Sequence, residues 1–190
     1  KKASHFKNFI SQNSKIISCM AGIKLITICN NLGHKNVIRI MPNVMAKQNK
    51  SQTFVFAKNK KILNRSFDKL IKSFGSVHYT SNEDQINIAT SIFGSGPAFI
   101  AYLIKSYIVA AKNLSKKNQL KDIDLINLFL NVLSTNQNLK DLDLFLNSIA
   151  SKKGTTQVGI NFLKSKNINK IIYTTLDRAY KRAKEIGIEK

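Results

Sequence analysis

Ser76-Val77-His78-Tyr79-Thr80-Ser81-Asn82-Glu83-Asp84-Gln85-Ile86-Asn87-Ile88-Ala89 is the stretch on which the fold turns. Its first five residues have strand length and strand composition; from Asp84 onward the apolar residues recur at helical spacing. Upstream of residue 82, short runs rich in Ile, Val, Phe and Tyr predict strands over Lys15 to Met20, Asn36 to Met41, Thr53 to Ala57 and Ser76 to Thr80. Helix patterns lie between them, Ile23 to Leu32 closed by Gly33 and Leu63 to Phe74 closed by Gly75. Strands alternating with helices predict an α/β layer with a mainly parallel sheet.

Downstream of residue 82 the pattern is all helix, over Asp84 to Ile92, Pro97 to Leu114, Lys121 to Leu133, Leu139 to Ala150, Thr155 to Leu163 and Asn169 to Ile186. The expected organisation is therefore an α/β part over residues 1–81 and an all-α part over residues 82–190. Apolar residues nearly surround the 97–114 helix, among them Leu103, Ile104, Tyr107, Ile108, Ala111 and Leu114. Such a helix must be covered on most sides, either by a partner subunit or as the central core helix of one subunit.

A chain of 190 residues with 43% hydrophobic residues can bury a sizeable core. No run approaches the roughly 18 uninterrupted apolar residues of a membrane-spanning helix, and Lys1-Lys2-Ala3-Ser4-His5-Phe6 does not open a signal peptide. The expectation is a cytoplasmic protein without membrane partners. Cys19 and Cys29 have neither zinc-site nor redox-pair spacing and are expected to be buried, reduced thiols. The net charge of +21 admits two readings, a nucleic-acid footprint or an A- and T-rich genome whose codons favour Lys, Asn and Ile. Clusters such as Lys58-Asn59-Lys60-Lys61, Lys116-Lys117 and Lys164-Ser165-Lys166 are spread along the chain, which favours the second and predicts no specific nucleic-acid partner.

The chain has two prolines, each in a distinctive segment. Met41-Pro42-Asn43 follows a strand, as does Cys19-Met20-Ala21-Gly22, and ligands of α/β sheets bind beyond such strand ends. Asn43 offers a donor and an acceptor there, or is an ordinary turn residue. Gly94-Ser95-Gly96-Pro97 places two glycines and a serine before a helix, where free N–H groups and the helix dipole favour an anion, or where a serine caps a tight turn. Ser151-Lys152-Lys153-Gly154-Thr155-Thr156 repeats that arrangement, and two such helix starts point to a small acid more strongly than one. His5, His34 and His78 fall in no constellation with a nucleophile or carboxylate.

Taken in order, Ile17-Ser18-Cys19-Met20-Ala21-Gly22-Ile23, Val37-Ile38-Arg39-Ile40-Met41-Pro42-Asn43, Glu83-Asp84 with Thr90, Gly94-Ser95-Gly96-Pro97-Ala98-Phe99, and Ser151 with Gly154-Thr155-Thr156 resemble pyrroline-5-carboxylate reductases along essentially the whole chain. The resemblance implies the C-terminal half of a Rossmann-like dinucleotide-binding domain followed by a helical dimerisation domain. It implies a homodimer or higher homo-oligomer with active sites shared between subunits. It also implies NADPH or NADH as cofactor and 1-pyrroline-5-carboxylate, a small molecule, as the substrate reduced to proline. Carried over by position, Ser151, Gly154, Thr155 and Thr156 hold the substrate carboxylate and Gly94, Ser95 and Gly96 line the pocket. Ala21, Gly22, Pro42 and Asn43 lie near the nicotinamide. No catalytic side chain and no metal is implied.

The chain also departs from the family pattern. No strand and GxGxxG turn precede Lys1-Lys2, so weak cofactor binding and a marginal first domain are expected if these residues act alone. The family's MPNTP reads Met41-Pro42-Asn43-Val44-Met45, a following glycine is Ser51, and the serine before GSGPA is Phe93. SPGGTT reads Ser151-Lys152-Lys153-Gly154-Thr155-Thr156, and a preceding Lys-Asp pair is Leu146-Asn147. Two other readings are a non-catalytic remnant that still dimerises and a basic nucleic-acid-binding protein.

Overall fold

The computed structural model describes residues 2–115 and 120–187; Lys116 and Lys117, singled out as a basic pair, lie outside them. Two compact units form, one from residues 1–97 and 174–190, the other from residues 98–173.

The first unit holds a four-stranded sheet in chain order, β1 (Ile16–Ser18), β2 (Val37–Met41), β3 (Ser51–Phe56) and β4 (Gly75–Thr80). β1 and β2 are parallel, with Ile16 opposite Val37, and β3 and β4 are parallel, with Ser51 opposite Gly75. The central pair is antiparallel, with Ile40 opposite Val55, so the sheet is mixed rather than uniformly parallel. Connection length explains this. The parallel pairs are joined through α1 (Leu25–Leu32) and α2 (Arg65–Lys72), whereas β2 and β3 are joined by residues 42–50, too few for a helical crossover.

All five residues of β2 are buried, as in a strand covered on both faces. Ile38 and Ile40 pack with Val55, Phe67 and Ile71 beneath α2. Val37 packs with Leu25, Ile28 and Leu32 of α1, and Met41 packs with Ile86 and Ala89 of α3 (Asp84–Ala89). Strand alternation places Arg39 between Val37 and Met41 on that second face.

Gly33 closes α1 as expected, in the left-handed conformation at φ 63°, with the His34 N–H bonded to the Cys29 carbonyl at 3.1 Å. Gly75 does not cap α2, which ends at Lys72. It opens β4 at φ 133°, where a Cβ would lie 2.4 Å from the Ser51 carbonyl oxygen.

The expected break between two helices at residues 93–97 is absent. α3 runs into a π-helical turn over Thr90–Ser95 and directly into α4 (Gly96–Leu114), so the helix is continuous from Asp84 to Leu114. A π turn carries one extra residue, which accommodates Pro97 inside a helix although it has no N–H to donate. This 31-residue helix is, by length and composition, apolar enough to cross a membrane, which scanning for unbroken apolar runs did not reveal.

In the second unit, the rest of α4 is followed by α5 (Asp122–Thr135), α6 (Leu139–Ile149), α7 (Thr155–Ser165) and the start of α8 (Ile168–Glu185). Tyr107 meets Phe129 edge to face at 5.2 Å, and Lys112 pairs with Asp122. Few of its apolar side chains are buried; Leu125 is, while Tyr102, Leu114, Leu139 and Val158 are exposed. The apolar faces of this unit are therefore not consumed in a core of its own.

Candidate active site

The C-terminal ends of β1 and β2 lie side by side, because the two strands are parallel neighbours. Ala21, beyond β1, and Met41, the last residue of β2, join Phe54, Phe56, Ile86, Ala89 and Phe93 in one apolar cluster. Phe93, where the family has serine, stacks on Phe54 at 5.3 Å. A Cβ on Gly94 would sit 4.0 Å from the Met41 sulfur. Ala21, the Met41 that precedes Pro42-Asn43, and the Phe93-Gly94 segment thus converge. Gly96 is buried, Gly94 and Ser95 are half-buried, and a Cβ on Gly96 would meet no neighbour within 4 Å. Because the helix is continuous here, Gly94-Ser95-Gly96 is not a helix start with free N–H groups; the π turn, rather than an open helix end, gives this backbone its shape.

Asn43 is an ordinary cap on one side and open on the other. Its Oδ1 accepts the Met45 N–H at 3.0 Å, and its own N–H donates to Ser51 Oγ at 3.0 Å. Ser51 is fully buried and also bonds Thr53 Oγ1 at 2.9 Å, so the hydroxyl standing in for the family's glycine holds the turn in place. The Asn43 side-chain NH2 has no partner among the described residues and is available to a carbonyl.

Gly22 is buried at φ 75°, and the close approach there is by the chain itself. A Cβ on Gly22 would lie 2.3 Å from the Ala183 carbonyl oxygen and 2.8 Å from the Gly187 nitrogen. The glycine therefore seats the end of α8 against the β1–α1 loop.

Arg39 and Glu83 form the main charged feature of this unit. Arg39 is 1% exposed, and its Nη1 donates to Glu83 Oε1 at 2.7 Å while Nη2 donates to the Met20 carbonyl at 3.3 Å. Glu83 Oε1 also accepts the Leu25 N–H at 2.5 Å, at the start of α1, whose preceding residue Lys24 provides no side-chain cap. A carboxylate is thus seated where a Rossmann turn would receive a phosphate, so the β1–α1 turn is not a pyrophosphate cradle. Sequence reading assigned no role to this pair. The available signal was an arginine inside the apolar run Val37-Ile38-Arg39-Ile40-Met41, which demands a buried acid.

Next to Glu83, Asp84 accepts from Tyr180 Oη at 2.6 Å and from Asn87 Nδ2 at 3.0 Å. The tyrosine hydrogen bond holds its carboxyl below the ordinary carboxylate range, outweighing desolvation. His34 bridges the Asn36 N–H and the Ser11 carbonyl, and His78 bonds Gln52 and stacks on Phe54. Neither meets a nucleophile, and His5 is exposed. Cys19 is exposed and Cys29 half-buried, so the expectation of two buried thiols fails: the short β1 ends at Ser18 and leaves Cys19 in the loop. No metal-binding cluster of His, Cys, Asp or Glu occurs among the described residues.

In the second unit, Ser151-Lys152-Lys153-Gly154 forms a turn closed by the Gly154 N–H on the Ser151 carbonyl at 2.9 Å, and α7 starts at Thr155 as expected. Gly154 caps the helix without a side chain, so the N–H groups of Thr155 and Thr156 head the helix dipole beside two exposed lysines. Lys153 adopts φ 63°, the left-handed conformation expected for the family's glycine at this position. A Cβ on Gly154 would lie 2.3 Å from Ser151 Oγ.

The chain is similar to curated pyrroline-5-carboxylate reductases. It is 32% identical to that of Staphylococcus haemolyticus strain JCSC1435 over 198 residues, covering 98% of this chain and 70% of the relative. It is 32% identical to that of Staphylococcus aureus strain COL over 192 residues, covering 97% and 69%. Among solved structures, the pyrroline-5-carboxylate reductase of Coxiella burnetii superposes with a TM-score of 0.75 at 27% identity, covering 96% of this chain and 70% of that one. The Plasmodium falciparum pyrroline carboxylate reductase, crystallised with NADP bound, gives a TM-score of 0.81 at 24% identity over 97% and 71% and shares the fold. The family model for pyrroline-5-carboxylate reductase dimerisation matches residues 83–186, beginning at the glutamate that pairs with Arg39. Motif order, the sheet with its convergent glycine segments, and these likenesses agree, and the chain belongs to the pyrroline-5-carboxylate reductase family.

Proposed function

We propose that this chain reduces 1-pyrroline-5-carboxylate to L-proline with NADPH or NADH, the last step of proline biosynthesis. The observation that carries this reading is the convergence of the Ala21, Met41-Pro42-Asn43 and Phe93-Gly94 segments at neighbouring strand ends. A bound reduced nicotinamide supplies the hydride for C5 of the imine. Ala21, Pro42 and Asn43 form its seat, with Gly22 behind them closing the loop against α8: the apolar cluster offers a shelf to a flat ring, and the free Asn43 NH2 offers a donor to its carboxamide. These residues fit the nicotinamide end of the cofactor, and the α1 helix start, occupied by the Glu83 carboxylate, offers no second anion seat.

Gly94, Ser95 and Gly96 line the substrate pocket, where missing side chains let a small ring approach the main chain. Ser151, Gly154, Thr155 and Thr156 hold the substrate carboxylate through hydroxyls and the amides at the start of α7, with Lys152 and Lys153 adding positive charge. With the substrate bound as its protonated iminium, hydride at C5 moves the C=N π pair to a nitrogen that already carries its proton, so orientation of two reactants and neutralisation of one carboxylate suffice and no general base is required.

The functional division falls at residues 1–81, a partial dinucleotide-binding domain, and 82–190, the helical dimerisation and substrate domain; the family match beginning at residue 83 supports it. The exposed apolar side chains of α4 to α7 support a homodimer or larger homo-oligomer, which buries them. The same cover serves the long apolar helix, so no membrane is needed. The scattered lysines support no specific nucleic-acid partner, and the working compartment is the cytoplasm.

The test is oxidation of NADPH or NADH by the chain in the presence of pyrroline-5-carboxylate, with proline as the product identified. Absence of turnover with both cofactors, in a folded and dimeric preparation, ends the reading and leaves a dimerising non-catalytic protein.

A further inference from the structure

We infer that Ser91 is a positioning residue for the substrate pocket, tethering the π turn that carries Gly94, Ser95 and Gly96 to the main chain of α8. The inference rests on the proposed role of those three residues. Ser91 is 2% exposed, and its Oγ donates to the Leu176 carbonyl oxygen at 2.6 Å, a link between residues 85 positions apart in sequence.

A π turn widens the helix by one residue and interrupts its regular ladder, so its shape must be held by something outside itself. The other hydroxyl at its start cannot do this, because Thr90 Oγ1 bonds the Ile86 carbonyl of its own helix at 2.7 Å. The glycines cannot do it either. A Cβ on Gly94 would find nothing nearer than 3.9 Å, and one on Gly96 nothing within 4 Å, so neither position is held by close packing around its Cα. On one side, Phe93 stacks on Phe54; on the other, the hydroxyl of Ser91 reaches α8.

α8 is itself anchored to the same unit. Tyr180 Oη donates to Asp84, and the α8 end meets Gly22, where the Gly187 Cα approaches so closely that a Cβ would lie 2.0 Å from the Gly22 carbonyl oxygen. A fixed carbonyl about one helical turn from the first anchor and about three from the second is a suitable mooring for the π turn. The hydroxyl of Ser91 thereby sets where the backbone of residues 94–96 stands.

The carbonyl of Leu176 has two lone pairs and lies inside a helix, so loss of the Ser91 hydroxyl leaves it its helical bond. Ser91→Ala therefore releases the tether at little cost to the fold. Two readouts follow. Amide hydrogen exchange at Ser95 and Gly96 is expected to speed up about tenfold in Ser91→Ala, with exchange in β2 and β3 unchanged. In steady-state assays KM for pyrroline-5-carboxylate is expected to rise about tenfold while KM for the nicotinamide cofactor stays within twofold, about the effect of one lost hydrogen bond. Ser91→Thr, which keeps the hydroxyl, is expected to restore both. Unchanged exchange at residues 95–96 overturns the inference whether or not the chain is active. An unchanged substrate KM in an active chain overturns it too, as does an equal rise in both KM values. A parent chain without turnover removes the proposed function instead, and the exchange experiment alone then decides the tether.

Discussion

Arg39, buried in the middle of β2, is paired with Glu83 at the threshold of the helical region at 2.7 Å. The same carboxylate oxygen takes the Leu25 N–H, so one side chain neutralises a buried guanidinium and caps α1. Desolvating a guanidinium is costly without such a partner, and removal of the partner exposes that cost in full.

Glu83→Ala is expected to destabilise the first unit by about 3 kcal/mol, the scale of breaking a buried pair from one side. Arg39→Met combined with Glu83→Ala is expected to recover a large part of that loss. Denaturant unfolding of Glu83→Ala, Arg39→Met and the double variant measures the coupling; additive losses would mean that the pair is not acting as a unit.

The Ser151–Gly154 turn places Lys153 at φ 63°, the left-handed position for which the family pattern supplies glycine after proline. Lys152→Pro with Lys153→Gly is expected to stabilise the loop by about 1 kcal/mol and to lower KM for pyrroline-5-carboxylate. Thermal unfolding and initial-rate kinetics check the two halves separately. A less stable double variant would show that the lysines make contacts worth more than the strain.

Gly22→Ala introduces a methyl 2.3 Å from the Ala183 carbonyl oxygen at φ 75°. Neither backbone can retreat cheaply, so a loss of about 3 kcal/mol is expected, together with release of the α8 end. Faster amide exchange across residues 180–187 should accompany the fall in Tm. If exchange there is unaltered, α8 is held by other contacts.

Asp84 and Tyr79 define two ends of the stability–pH profile. The hydrogen bond from Tyr180 depresses the folded-state pKa of Asp84, so its contribution is present above the unfolded value near 3.8 and is lost as pH falls below it. Tyr79, pushed up to about 12 by desolvation and its bond to Asp68, contributes stability that is full below pH 10 and is lost as pH rises toward 12. Tyr180→Phe should flatten the acid limb and leave the alkaline limb unchanged, as read from unfolding midpoints across pH.

Much of this architecture was legible in the chain because it depends on local pattern. The apolar run of β2, the alternation of strand and helix, the Gly33 cap and the start of α7 at Thr155 all follow from periodicity and backbone preference. The departure from SPGGTT at Lys153 was legible too, and the structure adds that the lysine sits in the left-handed conformation at φ 63°. The continuous helix through Gly94 to Pro97 was not. Glycine and proline locally signal a break, but a π turn there absorbs the missing N–H of Pro97 and packs Phe93 on Phe54.

The sequence by itself determined the order of elements, the change at residue 82 and the family, because each is written in short-range spacing and in motifs read in order. Only the tertiary structure decided which residues meet: Glu83 with both Arg39 and Leu25, Ser91 with Leu176, Gly22 with the end of α8. These contacts join residues 44 to 165 positions apart, and their geometry exists only once burial has made an unpartnered charge or an extra methyl too costly to tolerate.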